Sequence, residues 1–305
     1  MASRISIAEG PNLRYNRRDL ILRRRKFAFT LVELLVVTVI LAVLTALLFP
    51  VFREVENASR ATVCASNFRQ VGLAAGMYME EYEEKFMPVS DQPGVDANSR
   101  TDHTWVQVVL PYIKNFSVFH CPANQTGDAD ISTFDQDLVP GDTYSELYTA
   151  SLHVNTGYNY QYLAPILLEN GQWSSQPRME SEVREPSRTI MFVDSKWSLK
   201  NSDTSQGGSW LVVPPCRYAS SSTGSRLDTF LDGQQAEKAF VLDLGWFGDQ
   251  QFGGAWPWHM GRMTVARVDG SVTSLTPSEL SAGCDTRSRF ANRITDPKLY
   301  AWDSF

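Results

Sequence analysis

Near the C-terminal end of the chain, His259 is followed after nine residues by Asp269-Gly270, in the stretch HMGRMTVARVDGSVTSL. A histidine and an aspartate together can orient a general base, and such a pair can polarise a hydroxyl or thiol nucleophile held beside it. The sequence places no serine or cysteine to use the pair. The G-x-S-x-G, H-E-x-x-H and phosphate-loop patterns are absent. The other histidines, His103, His120 and His153, are scattered. The expectation is a non-enzyme in which His259, Asp269 and Gly270 are structural. Four cysteines, Cys64, Cys121, Cys216 and Cys284, lack the C-x-x-C spacing of a zinc site. Their even number instead suits disulfides, with three connectivities open. His120, beside Cys121, reads as an ordinary strand-end residue. The acidic stretch with Asp128, Asp130, Asp135, Asp137 and Asp142 has carboxylates that calcium accepts but not the glycine placement of an EF-hand loop. It reads first as a solvated loop, so no metal or other cofactor is expected, calcium being the single candidate.

One more titratable residue stands in unusual company. Glu33 lies near the start of an apolar run from Phe29 to Phe52, whose other polar side chains are Thr30, Thr38 and Thr45. That run has the roughly 20 residues needed to cross a hydrocarbon core about 30 Å thick. A carboxylate facing lipid costs about 2.5–3.5 kcal/mol at a helix centre and less near an end, so such an acid is a functional candidate that seeks a cation. No small-residue cleavage site of the secretory kind follows Phe52. The 305-residue chain has a net charge of −6. Residues 1–28 hold eight Arg or Lys against Glu9 and Asp19, leaving about −12 for the rest. The acidic remainder argues against nucleic acid as a partner, and the basic block before the apolar run marks the cytoplasmic side of the membrane.

The elements that must carry these residues follow from periodicity. Beyond Pro50, Ala58, Ala61, Ala65, Phe68, Val71, Ala75, Met79 and Tyr82 recur at steps of three or four, one helical stripe that needs a sheet to cover it. The helix is expected to run from Phe29 through a bend at Pro50 to about Phe86, with Pro88 as its stop. Gly72 and Gly76 permit close packing on a strand. After Val89 come short strand-like runs at 189–193, 210–213, 239–242 and 263–268, separated by polar loops. Asp269-Gly270 between two alternating runs reads as the two-residue tip of a hairpin. The fold class is α+β, a long helix on an antiparallel sheet with large loop insertions.

The stretch Lys26-Phe27-Ala28-Phe29-Thr30-Leu31-Val32-Glu33 resembles the N-terminal signature of type IV prepilins and type II secretion pseudopilins, with Ala28 where the family usually has Gly. The His259 to Gly270 module resembles the processing-associated module of large prepilin-like proteins. CASNFRQVGLAAGMYMEEYEEKFMP, PYIKNFSVFHCP, GYNYQY and PSRTIMFVDS resemble other elements of that family in their usual order. The resemblance implies a pilin-like fold. Its parts would be a leader, 1–28, cut between Ala28 and Phe29; a transmembrane helix, 29–52; an amphipathic continuation, 53–88; and an extracytoplasmic β-rich domain, 89–305, that includes the 259–275 hairpin. Glu33 would pair with the amino terminus of a neighbouring subunit, Pro50 would bend the helix, and Cys64–Cys121 is the favoured bridge. The implied partners are a prepilin peptidase, other pilin or pseudopilin subunits, an inner-membrane assembly platform and the membrane itself. The implied localisation is a single pass of the cytoplasmic membrane with the C-terminal domain outside, entering a surface filament. Function is then structural, as a subunit of a type IV pilus or type II secretion pseudopilus. The competing expectation is a tethered extracytoplasmic protein whose Trp246, Trp256 and Trp258 stack on carbohydrate or another ligand.

Overall fold

The computed structural model describes residues 30–90, 103–124, 144–169, 171–196, 208–220, 226–228, 253–285 and 292–302. The leader with Ala28 and Phe29, the acidic stretch from Asp128 to Asp142, Trp246 and the run 239–242 lie outside the described residues. The chain divides into two units, one ending at Val51 and one beginning at Phe52.

Helix α1 (Leu31–Glu81) runs from the first unit into the second. In the first unit it opens with a reciprocal cap. The Thr30 N–H donates to Glu33 Oε2 at 2.8 Å, and the Glu33 N–H donates to Thr30 Oγ1 at 3.2 Å. Two of the donors that a helix start leaves unpaired are thereby satisfied. Every side chain from Leu31 to Val51 is exposed, and the segment is long and apolar enough to cross a membrane. Its 21 residues extend about 31 Å. The hydroxyls of Thr38 and Thr45 donate to the carbonyls of Leu35 and Leu41, so neither needs water. Pro50 lies inside the helix, where its ring withholds an N–H from the Ala46 carbonyl.

In the second unit α1 becomes one-sided. Cys64, Phe68, Val71, Gly72, Ala74, Ala75, Tyr78 and Met79 are buried. The stripe begins one or two turns later than its periodicity suggests: Ala58 is exposed, and Ala61 and Ala65 are only half-buried. Tyr82, at the other end, is exposed and stacks on Tyr78 with ring centroids 4.3 Å apart. The helix ends at Glu81, short of the Phe86 expected from sequence. Glu83 and Glu84 take left-handed backbone angles (φ 57° and 58°), and the Glu84 N–H reaches back to the Met79 carbonyl. Phe86, Met87 and Val89 then turn inward and are fully buried.

Among the described residues, two further helices of nine residues each lie where the sequence shows no helical period. In α2 (Trp105–Ile113), Thr104 and Gln107 form a capping box, and Lys114 closes the far end in a left-handed conformation. The Tyr112 hydroxyl donates to Glu81 and ties α2 to α1. A 3-10 turn at Phe116–Phe119 leads into Cys121, and α3 (Tyr144–Leu152) follows.

Among the described residues the strands form two four-stranded sheets and a hairpin. Strands β1 (Thr156–Tyr158), β4 (Ile190–Asp194), β7 (Met263–Arg267) and β8 (Val272–Leu275) make the first sheet, in the order β1-β4-β7-β8 and antiparallel throughout. Strands β2 (Ile166–Glu169) and β3 (Gln172–Ser175) pair with each other. The second sheet runs β6-β5-β10-β9, from β5 (Cys216–Ser220), β6 (Arg226–Asp228), β9 (Cys284–Asp285) and β10 (Asn292–Ile294). Its β5–β10 pair is parallel, which the antiparallel expectation did not include. The run 210–213 forms one bridge, Leu211 to Tyr158, rather than a strand. The Trp210 carbonyl instead accepts from the Tyr158 N–H and the Trp105 indole. The main core joins the buried face of α1 to Trp105, Val109, Phe116, Phe119, Tyr158 and Phe192. Each large apolar side chain fully buried there contributes about 1.5–3 kcal/mol.

The β7–β8 turn also differs from the two-residue tip read from sequence. Gly270 N–H donates to the Arg267 carbonyl and Arg267 N–H to the Ser271 carbonyl; Gly270 has φ +79° and Asp269 is not in the left-handed region. The connection is a β-turn closed by a glycine bulge, which needs only one residue at positive φ. A Cβ on Gly72 would meet the Gly270 Cα at 4.0 Å, so the hairpin tip rests against α1. A Cβ on Gly270 itself would touch nothing within 4 Å, so the demand there is conformational. Gly270→Val is expected to lower stability by more than about 1 kcal/mol, whereas Gly270→Asn, which tolerates the left-handed region, should cost less. Thermal melts of the two variants check the order, and equal melting temperatures would contradict it.

Candidate functional site

Four segments distant in sequence deliver four side chains to one buried point. Cys64 comes from α1, Cys121 from the segment after the 3-10 turn, Asp194 from the last position of β4, and His259 from the turn before β7. One donor atom from each lies within 4.8 Å of the others. The two sulfurs are 2.6 Å apart, Cys121 Sγ is 3.4 Å from His259 Nε2, and that nitrogen is 3.5 Å from Asp194 Oδ2. Exposure is 1% for Cys64, 3% for Cys121, 0% for Asp194 and 6% for His259, so none of the four can rely on bulk water.

Backbone hydrogen bonds explain why the segments converge. His259 and Arg262 exchange two backbone hydrogen bonds around Met260 and Gly261, which have φ 53° and 81°, the geometry of a tight two-residue turn. This turn directs the imidazole inward. The Trp256 N–H donates to the Asp194 carbonyl and the Trp258 indole to the Ser195 carbonyl, which holds the turn on the end of β4. Asn155 bridges the remaining pieces: its Oδ1 accepts the Cys121 N–H at 3.0 Å, and its Nδ2 donates to the Ser195 carbonyl at 3.2 Å. Asp194 Oδ2 accepts the Thr264 N–H at 2.5 Å, while Oδ1 takes no hydrogen bond among the described residues.

The electrostatics follow from burial. Desolvation is the main cause that pushes the Asp194 carboxyl up to about 8. Burial opposes charge on His259, but Cys121 and Asp194 beside it outweigh that and raise it above its usual range. With both sulfurs reduced, the hydrogen bond from Cys64 pulls Cys121 down to about 5 and holds the Cys64 proton firmly. The grouping has the residue types of a cysteine, histidine and aspartate triad but not its wiring. In a triad the nucleophile and the acid address opposite imidazole nitrogens. Here Cys121 and Asp194 both face Nε2. Two cysteines, a histidine and an aspartate are also donors that zinc accepts. Two thiolates on one tetrahedral zinc, at about 2.3 Å each, stand about 3.8 Å apart. The observed 2.6 Å is too short for that arrangement.

The histidine and aspartate of the sequence module are not partners. Asp269 stands exposed at the far end of β7, where its carboxylate accepts the Ser271 N–H. His259 meets Asp194 instead, and its side chain faces Cys121 and that carboxylate. Asp194 and Asn155 had no role in the sequence reading. The available signal for Asp194 was an acid ending the otherwise apolar run Ile190-Met191-Phe192-Val193. His120 caps the 3-10 turn and stays outside the cluster. Cys216 and Cys284 are joined as a disulfide between β5 and β9. Trp256 and Trp258 are half-buried, with Lys196 Nζ 3.9 Å from the Trp256 ring centroid. At the other end of the chain, Glu33 is exposed and occupied with Thr30.

Residues 23–49 match the prokaryotic N-terminal methylation motif. No curated protein and no solved structure matches the chain. The matched stretch holds the basic run, Ala28, Phe29, Glu33 and most of the exposed apolar part of α1, and it identifies a prepilin-like N-terminus. A motif of this class points to a structural subunit rather than to a catalyst.

Asp194 holds its proton to higher pH in the fold than when free, chiefly because burial disfavours its charged form. The folded state therefore binds more protons than the unfolded chain between about pH 6.5 and 8, and stability falls as pH rises across that window, by at most about 1.4 kcal/mol per pH unit for each proton. The melting temperature of the wild type is expected to drop from pH 6.5 to pH 8. Asp194→Asn should show a flatter dependence while keeping an acceptor for the Thr264 amide. A wild-type melting temperature that rose across the window would contradict the assignment.

Proposed function

We propose that the chain is the precursor of a structural subunit of a type IV pilus or a type II secretion pseudopilus. The observation that carries this reading is the methylation-motif match over residues 23–49, which runs directly into an apolar helical segment with every side chain exposed. A prepilin peptidase at the cytoplasmic face removes residues 1–28 and leaves Phe29 as the methylated first residue. The leader carries most of the basic charge of this end, so its loss leaves a segment that lipid or neighbouring helices accept on all sides.

Glu33 then has its cation. Thr30, which holds the carboxylate through its N–H and hydroxyl, becomes the second residue of the mature chain, next to the new amine. An acid near the end of an apolar helix is stabilised by a positive amino terminus brought up by an adjacent subunit, and this pairing sets the axial position of one helix against the next. The assembly platform of the cytoplasmic membrane adds subunits in that register, and the chain from residue 53 onward stays outside the cytoplasm. The acidic stretch from Asp128 to Asp142 is kept as a candidate calcium loop. A carbohydrate-binding role is less favoured, because the Trp256 ring is covered by Lys196 and the Trp258 indole is spent on the Ser195 carbonyl.

Mass spectrometry of the membrane-extracted protein, from cells that possess the peptidase, is expected to find Phe29 as the first residue. Ala28→Gly should speed the cut, and Glu33→Ala should leave cleavage intact while removing the protein from sheared filament fractions. An intact Met1 start in such cells would overturn the reading.

A further inference from the structure

We propose that Cys64 and Cys121 close as a second disulfide, which clamps α1 to the globular unit at the point where the helix first becomes buried. The two thiols are free in the structure, but their sulfurs lie 2.6 Å apart, nearer than two thiolates on a shared zinc stand and about half an ångström from the length of a disulfide bond. The same unit already carries the Cys216–Cys284 bond, so its compartment oxidises thiols. Charge gives a second argument. As a dithiol, the cluster would put an ionisable thiol beside a buried carboxylate with one unbonded oxygen. As a disulfide, it holds only Asp194 and His259, a pair that shares a proton and is neutral overall. The histidine of the 259–270 module is on this account the counter-charge that lets Asp194 sit beside the bond.

Placement gives the clamp its purpose. Cys64 is the first buried residue of α1, and residues 52–63 before it are exposed or half-buried. Peeling the helix away from the sheet would begin at Cys64. A bond there joins α1 to a segment 57 residues later and closes that route. The benefit of such a clamp rests on the subunit reading, in which tension enters the domain along α1. The chemistry balances as exchange with an external disulfide, such as that of a thiol oxidase or of oxidised glutathione. One cysteine thiolate attacks it and releases one thiol; the other attacks the mixed disulfide and releases the second. Two thiol protons leave, and two electrons pass to the external disulfide. Because both sulfurs are buried, exchange happens before the fold closes over them, and the finished bond is shielded from reductants.

The test begins with the full chain extracted from membranes, denatured, alkylated without reduction and digested. The expected result is two linked peptide pairs, Cys64 with Cys121 and Cys216 with Cys284. Alkylated Cys64 and Cys121 would overturn the proposal, and about one zinc per chain in the native extract before denaturation would make the cluster a metal centre instead. The clamp is tested with the double variant Cys64→Ala, Cys121→Ala, which leaves no sulfur in the cluster to oxidise. Hydrogen exchange in α1 between residues 60 and 75 should rise about ten-fold or more, with β4 and β7 unchanged. Exchange equal to wild type would remove the clamp even if the bond exists. Neither measurement depends on leader cleavage, so a failure here and a failure of the subunit reading are told apart.

Discussion

One helix has to satisfy two surroundings. Up to Val51, α1 is almost wholly apolar and its side chains are exposed. From Cys64 onward it has a single buried face, and exposed residues such as Arg69, Gln70 and Glu80 occupy the other side. The backbone hydrogen-bond ladder is the same in both parts; what changes is the solvent for which the side chains are chosen. Most of the second unit answers the need of the one-sided part. The first sheet, α2 and the 3-10 turn supply aromatic and aliphatic surface to Phe68, Val71, Ala75, Tyr78 and Met79, and the hairpin tip at Gly270 lies against Gly72.

The price of organising a domain around a helix is that segments far apart in sequence must be held to it, and here polar groups do much of that work. Asn155 spends both ends of its amide on the Cys121 and Ser195 backbones. Asn159 likewise donates to the Ile190 and Trp302 carbonyls and so joins β4 to the C-terminal segment. Buried amides of this kind fix register because a shifted arrangement would leave them unpaired at a cost of about 1–3 kcal/mol each. The buried Asp194 is the extreme case. It sits at the junction of β4, β7 and the 253–262 segment, and both the Thr264 amide and the His259 imidazole are turned toward it.

This arrangement separates the two halves of the histidine and aspartate-glycine module. Asp269-Gly270 is a turn device that sets the β7–β8 hairpin against α1, and it works through backbone conformation. His259 works at the opposite end of the same strand, through its side chain, on a carboxylate and two sulfurs. The spacing between them is the length of β7 together with its two turns. The module is therefore a ruler for one strand, with a chemical group at only one end.

Local sequence determined whatever depends on near neighbours. The apolar run with Glu33 near its start, the stripe from Phe68 to Met79, the strands at 190–194 and 263–267 and the place, though not the type, of the turn at Asp269-Gly270 were legible, because side-chain period and turn chemistry are short-range. Where neighbours were misleading, tertiary contacts decided. Two glutamates in left-handed conformation end α1 at Glu81, where sequence pointed to Phe86. The run 210–213 divides its hydrogen bonds among Leu152, Tyr158, Gly253 and the Trp105 indole instead of a full ladder. The turn before β7 aims His259 away from Asp269. The cluster itself was illegible. Its members stand at positions 64, 121, 194 and 259, and no periodicity relates a helix face, a loop, a strand end and a turn. Only the packing of β4 between β1 and β7, beneath the buried face of α1, brings a carboxylate, an imidazole and two sulfurs within one small volume. Proximity of that kind is a property of the fold's three-dimensional closure, and a linear order of residues does not contain it.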